Sequence, residues 1–242
     1  MSSPARSAPA AAAWVPAGLW VRYLAWSLDA ALIAASTTLI GAAHWRRLAA
    51  AAGEAYAAMN ARVAEVMSGA VLDDLDFGGF SQQLLADPGV HAAAASTAGA
   101  LTSLILGWTF LYALLGLVYE VGFVAFSSWR ATPGKRALGV WVSDEAGRRL
   151  GAGRAALRYL GGGLSWLSLN IGHLMAAAKP EHRALHDRIA GARVVRAGDA
   201  QTPLWGWAWL LLQAIASLAA CVWLARAMQA ALDAVLLQNG AI

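Results

Sequence analysis

The stretch Leu19–Ala43, LWVRYLAWSLDAALIAASTTLIGAA, decides how this chain is read. It is long enough to cross a bilayer core, which needs about 20 residues, yet it contains Arg22 and Asp29. A spacing of seven is close to two helical turns, so both side chains lie on one stripe, roughly 10 Å apart along the axis. A carboxylate near mid-span costs on the order of 3 kcal/mol, so the stripe is expected to face protein or water and not lipid.

Composition agrees. Hydrophobic residues make up 59% of the 242-residue chain and charged residues only 13%, against about 25% charged in a soluble domain. Several of the 12 tryptophans (Trp14, Trp20, Trp45, Trp129 and Trp205 among them) stand at the ends of apolar runs, where an interfacial aromatic belt would place them. The single cysteine, Cys221, lies in an apolar segment, can form no internal disulfide and reads as a small packing residue. Met1–Ala13 is a Ser/Pro/Ala tail expected to be disordered. The run after it is too long for a signal peptide and carries Asp29, so it reads as a retained first span.

Three further apolar stretches follow: Ala92–Phe126, Tyr159–Ala178 and Leu204–Ala225. Charge sorts the sides. Arg130, Lys135, Arg136, Arg148, Arg149, Arg154 and Arg158 crowd one connection, which places it and the N-terminus in the cytoplasm. The loop Arg46–His91 is acidic and belongs outside. Tyr159–Ala178 opens on Gly161-Gly162-Gly163, carries Asn170 and His173, and is flanked by basic residues at both ends. A re-entrant or interfacial helical hairpin satisfies both flanks better than a fourth span, because polar, glycine-broken backbone at membrane depth needs cover from protein or water.

Ala137–Ser143 (ALGVWVS) alternates like a strand, and Asp144-Glu145-Ala146-Gly147 is a hairpin-turn signal. Gly191–Arg196 (GARVVR) is a second β-like run able to pair with it. In the outer loop, Ala52, Tyr56, Met59, Val63, Val66 and Ala70 recur at spacings of three and four, the stripe of a helix packed on a partner. No proline interrupts Leu19–Asp73, so the first span is expected to continue outward as a helix against an extension of the second.

Three motifs together resemble the RDD family of small membrane proteins: Arg22 with Asp29, ATPGKRALGVWV at Ala131–Val142, and RALHDRIAGARVV at Arg183–Val195. The resemblance implies that the family's Arg, Asp and second Asp fall on Arg22, Asp29 and Asp187. It further maps a basic element onto Thr132, Gly134, Lys135 and Arg136, and a Leu-His-Asp element onto Leu185, His186 and Asp187. Lys179 stands where relatives often carry Asp before the Pro turn. The organisation this implies is a tail over 1–13, an RDD-like membrane domain over 14–196 with a helical outer loop over 46–91, and an added C-terminal helix over 197–242.

Several roles remain open for these residues. Arg22 and Asp29 serve either a proton or cation pathway or a structural pair, and Arg22 is suited to bridge Asp29 and Asp187 bidentately. Glu120, near the inner end of the second span, reads more readily as a neutralising partner for Arg22 or Lys135 than as an ion site. His182 and His186 have the spacing of a helical metal pair, but no cysteine or further histidine accompanies them, so no metal and no cofactor is expected. The Thr132–Arg136 turn lacks the phosphate-loop frame, and its basic residues suit anionic head groups at about 1 kcal/mol each. No catalytic triad or nucleotide fingerprint is present, and the inner membrane face accounts for the basic residues without nucleic acid. The expected fold is an all-α integral membrane helical bundle of three full spans plus a re-entrant or fourth one, with a small cytoplasmic β-hairpin. The expected role is non-enzymatic: an inner-membrane accessory or assembly protein binding a membrane protein or a second copy, with a small cation/proton antiporter as the alternative.

Overall fold

The computed structural model describes residues 14–238; the expected tail over 1–13 lies outside the described residues. In chain order the elements are β1 (Trp14–Pro16), α1 (Leu19–Ile40), α2 (Ala42–Leu72), α3 (Phe77–Ala86) and α4 (Pro88–Val121), then a π-helical turn (Gly122–Phe126). After it come α5 (Pro133–Ala137), β2 (Val140–Asp144), α6 (Ala152–Leu167), α7 (Ile171–Leu174), a 3-10 turn (Met175–Ala177), α8 (Leu185–Ile189), β3 (Ala192–Ala197) and α9 (Leu204–Gln238). Three helical stretches, Leu19–Ile40, Pro88–Phe126 and Leu204–Ala227, are long and apolar enough to cross a membrane. They are the first, second and fourth apolar runs of the sequence.

The chain forms two compact units, one of Asp29–Gly122 and the other of the residues up to Leu28 together with those from Phe123 onward. In the Asp29–Gly122 unit, α2 and α4 pack lengthwise. They run antiparallel: Trp45 of α2 touches Gly107 of α4, while Arg62 grips Asp87 at the start of α4. Of the expected stripe, Ala52, Val66 and Ala70 are buried, whereas Tyr56 is exposed. The helix α1 does continue into α2, with one interruption at Gly41. There the Trp45 indole folds back to donate to the Thr37 carbonyl (2.9 Å), leaving no room for a Cβ on Gly41. The acidic stretch after α2 is not merely a stop. The Asp76 carboxylate accepts from the Gly79 N–H and starts α3, and Asp87 caps α4 in the same way through Val90.

The other unit is organised on a three-stranded antiparallel sheet of order β1-β3-β2. The two β-like runs do pair, with Val142 opposite Val194, but the expected hairpin is corrected to a three-stranded sheet. Asp144 explains why the turn after β2 does not lead to its partner. Its Oδ1 accepts from the N–H groups of Ala146 and Arg148 (2.9 and 2.8 Å), closing a tight turn that directs the chain into α6. The Arg148 N–H, against opposing burial, holds the Asp144 carboxyl below its usual range. The strand β3 then fills the centre, and β1 adds the far edge through Trp14↔Ala197, Val15↔Arg196 and Pro16↔Val195, with its proline at an edge where no ladder donor is needed. The core beneath is made of small residues: Ala17, Val124, Val140, Val142, Ala192 and Val194 are all buried.

The segment Tyr159–Ala178 is not one helix. The helix α6 stops at Leu167, the chain reverses through Leu169 and Asn170 in left-handed conformations, and α7 returns with Gly172 against Ser165. The C-terminal helix is fastened to the start of α1. Trp209 Nε1 and Gln213 Nε2 both donate to Ser27 Oγ, Tyr23 Oη donates to Gln213 Oε1, and Gly206 admits Leu24. Beyond Gln213 the apolar side chains of α9 are exposed on every side through Ala227, as in a helix surrounded by lipid.

Candidate functional site

Asp187 is the most enclosed carboxylate among the described residues, with no exposure at all. It is the third residue of α8, and its Oδ2 reaches back to the Ala184 N–H (3.2 Å), the acidic half of a capping box. The same oxygen accepts from Arg22 Nη1 at 2.5 Å, while Oδ1 accepts from Arg158 Nε at 2.9 Å. Arg22 Nε donates to the Ala17 carbonyl and Nη2 to the His182 carbonyl. All three nitrogens of its guanidinium are thus engaged, Nη1 by the Asp187 carboxylate and the other two by backbone carbonyls. Of the charges expected to cluster, Arg22 and Asp187 meet and Arg158 of α6 joins them, while Asp29 belongs to the other compact unit.

Burial pushes the Asp187 carboxyl upward, but the guanidinium groups of Arg158 and Arg22 outweigh it and hold the group below the usual carboxylate range. His186 sits 3.6 Å from the Asp187 carboxylate. Burial first, and then Arg158, lower its pKa to about 3, so its imidazole is neutral. The His186 ring lies beside that of His173 (centroids 5.2 Å). Arg154 closes the far end of α8 by donating to the Ala190 and Gly191 carbonyls (2.8 and 2.5 Å), and Gly191 supplies the left-handed turn with φ of 56°.

The remaining sequence candidates fall elsewhere. Asp29, buried in the Asp29–Gly122 unit, accepts from Tyr119 Oη at 2.7 Å. Glu120, next to Tyr119 in sequence, is buried near the end of α4. The turn expected over Thr132–Arg136 is one turn of helix, α5, with Pro133 in its first position. Thr132 and Gly134 are buried, Lys135 donates to Thr132 Oγ1 (3.2 Å), and Arg136 is exposed. Leu185 is half-buried at the head of α8. His182 precedes that helix and holds the Ala176 carbonyl through Nδ1 (2.9 Å), so it shares no helix face with His186. Among the described residues, no group of three or more His, Cys, Asp or Glu is placed to hold a metal ion.

Arg158 and Tyr119 are the partners that sequence reading missed. Arg158 had a signal: with Ala155, Gly161 and Ser165 it forms the buried stripe of α6, at spacings of three, three and four. The arrangement at Asp187 is a lock. It holds α1, α6 and α8 together through one carboxylate, and every polar atom of that carboxylate is engaged by protein.

A family model described as the RDD family matches residues 16–191. The chain belongs to the RDD family. The RDD match spans β1's last residue through α8, so the central strand β3 and the helix α9 lie beyond it. No curated protein and no solved structure matches the chain.

Proposed function

We propose that this RDD protein is a non-enzymatic, multi-pass inner-membrane protein of the accessory or assembly type, with the outer α2–α4 hairpin as its recognition surface. Three long apolar helices and the family support the membrane reading. The sheet supports its topology: β3 is bonded to both β1 and β2, so all three lie on one side of any bilayer the helices cross. Basic residues from Arg130 to Arg158 make that side the cytoplasm, facing anionic head groups. The chain then leaves through α1, returns through α4, and leaves again through α9.

One observation carries the recognition role. Pro88–Phe126 is 39 residues long, about 58 Å as a helix, nearly twice a core of about 30 Å. The hairpin therefore stands clear of the membrane, and its tip is apolar. Val71, Leu72 and Phe77 are 76, 85 and 83% exposed, next to Asp73, Asp74 and Asp76. An acidic, apolar tip fits a partner that is itself apolar with a basic rim.

A photoreactive amino acid at Phe77, in native membranes, tests this reading. The expected result is one discrete adduct that disappears when Asp73 and Asp74 are both replaced by Lys. Sodium-dependent proton flux from the purified protein in sealed liposomes, lost in Asp29→Asn, would replace this reading with the antiporter.

A further inference from the structure

We infer that α6 and α7 form a wedge that enters the cytoplasmic leaflet and turns back within it, with lipid acyl chains as its partner. The inference rests on the membrane topology proposed above and adds to it a fourth membrane contact that never crosses.

The first ground is an inside-out pattern. Along α6, Ala155, Arg158, Gly161 and Ser165 are buried against the unit, while Leu160, Leu164 and Leu167 point outward. That exposed apolar face continues through Leu169, Ile171 and Leu174. Water would disfavour such a continuous apolar face, whereas acyl chains would not.

The second ground is the reversal itself. Backbone at membrane depth has no water to bond, so its N–H groups must find protein partners. Here the turn supplies them. Ser168 donates to Leu164, Leu169 to Trp166, Asn170 to Ser165, Ile171 to Ser168, and both His173 and Leu174 to Asn170, all within 3.1 Å. Asn170, with φ of 67°, takes the left-handed conformation that a polar side chain tolerates best after glycine.

The third ground is depth. The Trp166 ring packs on the Trp26 ring of α1, centroids 5.5 Å apart. Trp26 lies seven residues beyond Leu19, about 10 Å along the helix. The end of α6 therefore reaches the same level as a residue well inside the first span. Its 16 residues, about 24 Å long, cannot cross a core of about 30 Å. Bonding of β2 and β3 in one sheet requires the chain to return.

Depth-dependent fluorescence quenching on the full-length protein tests the wedge. In a Cys221→Ala background, an environment-sensitive label is placed singly at Leu167→Cys, Ile171→Cys, Leu218→Cys or Glu145→Cys. The protein is reconstituted in phosphatidylethanolamine/phosphatidylglycerol vesicles. Labels at positions 167 and 171 are expected to be quenched severalfold more by a nitroxide high on the acyl chain than by aqueous iodide. The label at 218 should answer to a nitroxide deep in the chain, and the label at 145 to iodide. If iodide reaches positions 167 and 171 while 218 stays with lipid, the wedge is wrong and the three spans stand. If neither quencher reaches 167 and 171, protein covers the face and the wedge is equally wrong. If iodide reaches 218, the membrane topology fails and takes the wedge with it.

Discussion

Arg22 Nη1 lies 2.5 Å from Asp187 Oδ2, joining two residues 165 positions apart. The bond ties the first turn of α1 to a helix that follows most of the chain. With Arg158 on the other carboxylate oxygen, it makes the register of α1, α6 and α8 interdependent.

Removing the carboxylate should be the most damaging single change here. Asp187→Asn leaves two guanidinium groups facing each other in a buried site, and breaking a buried pair in this way costs about 3–5 kcal/mol. Arg22→Lys should lose on the order of 2 kcal/mol, because one ammonium cannot reach Ala17, Asp187 and His182 together. Thermal unfolding of purified protein in detergent measures both. A silent Arg22→Lys would show that charge alone suffices and the fork geometry does not matter.

Acid should weaken the fold through His186 before it touches Asp187. The unfolded chain binds a proton as pH falls through 6.5, while the folded imidazole refuses one until about 3. Stability is therefore full above 6.5 and falls as pH drops toward 3, by at most about 1.4 kcal/mol per unit. Asp187, with its pKa depressed, keeps its full contribution above the ordinary value of 3.8 and loses it only as pH falls further. The groups facing His186 are Arg158, Asp187, His173 and Arg22. Unfolding midpoints between pH 6.5 and 4 should decline in wild type and decline less steeply in His186→Gln, where His173, also lowered by burial, keeps part of the slope.

At the start of α4, Asp87 does two jobs that substitution can separate. It accepts from the Val90 N–H as a cap and binds Arg62 Nη2 at 2.7 Å. Its carboxyl sits below the usual range, first because of Arg62 and then because of the Val90 N–H. Asp87→Asn keeps a capping oxygen and loses the charge, so it should loosen the hairpin less than Asp87→Ala does. Limited proteolysis within residues 73–88 gives the ranking, and equal cleavage rates would mean the cap contributes nothing.

Packing of α9 on α1 depends on Gly206. A Cβ there would fall 2.6 Å from Leu24 Cδ2, and Leu24 is itself fully buried. Gly206→Val should destabilise by about 1–3 kcal/mol through overpacking, seen as a lowered unfolding midpoint. Ser27→Ala, which removes the shared acceptor of Trp209 and Gln213, should cost about 1 kcal/mol in a membrane setting.

Hydropathy alone made α1, α4 and α9 legible, since long apolar runs have few other folded forms. Alternation likewise exposed β2 and β3. The strand β1 escaped because three residues, Trp14–Pro16, are too few to show a period and owe their conformation to β3. The helix α3 escaped because Gly78 and Gly79 weaken its local preference, which Asp76 restores by capping. At the polar centre, Arg22 and Asp187 were visible as motif residues. Arg158 was read only as one more basic residue of an inner connection, because pairing across 29 positions leaves no local trace.

The order of the strands also sets a timetable for synthesis. Residue 14 meets its first ladder partner only when residue 197 has been made. At about 5–20 residues per second, that interval is on the order of ten to forty seconds. Through all of it, β1 waits for its ladder partner among the described strands. Among the described strands, the first made is thus paired by the last made.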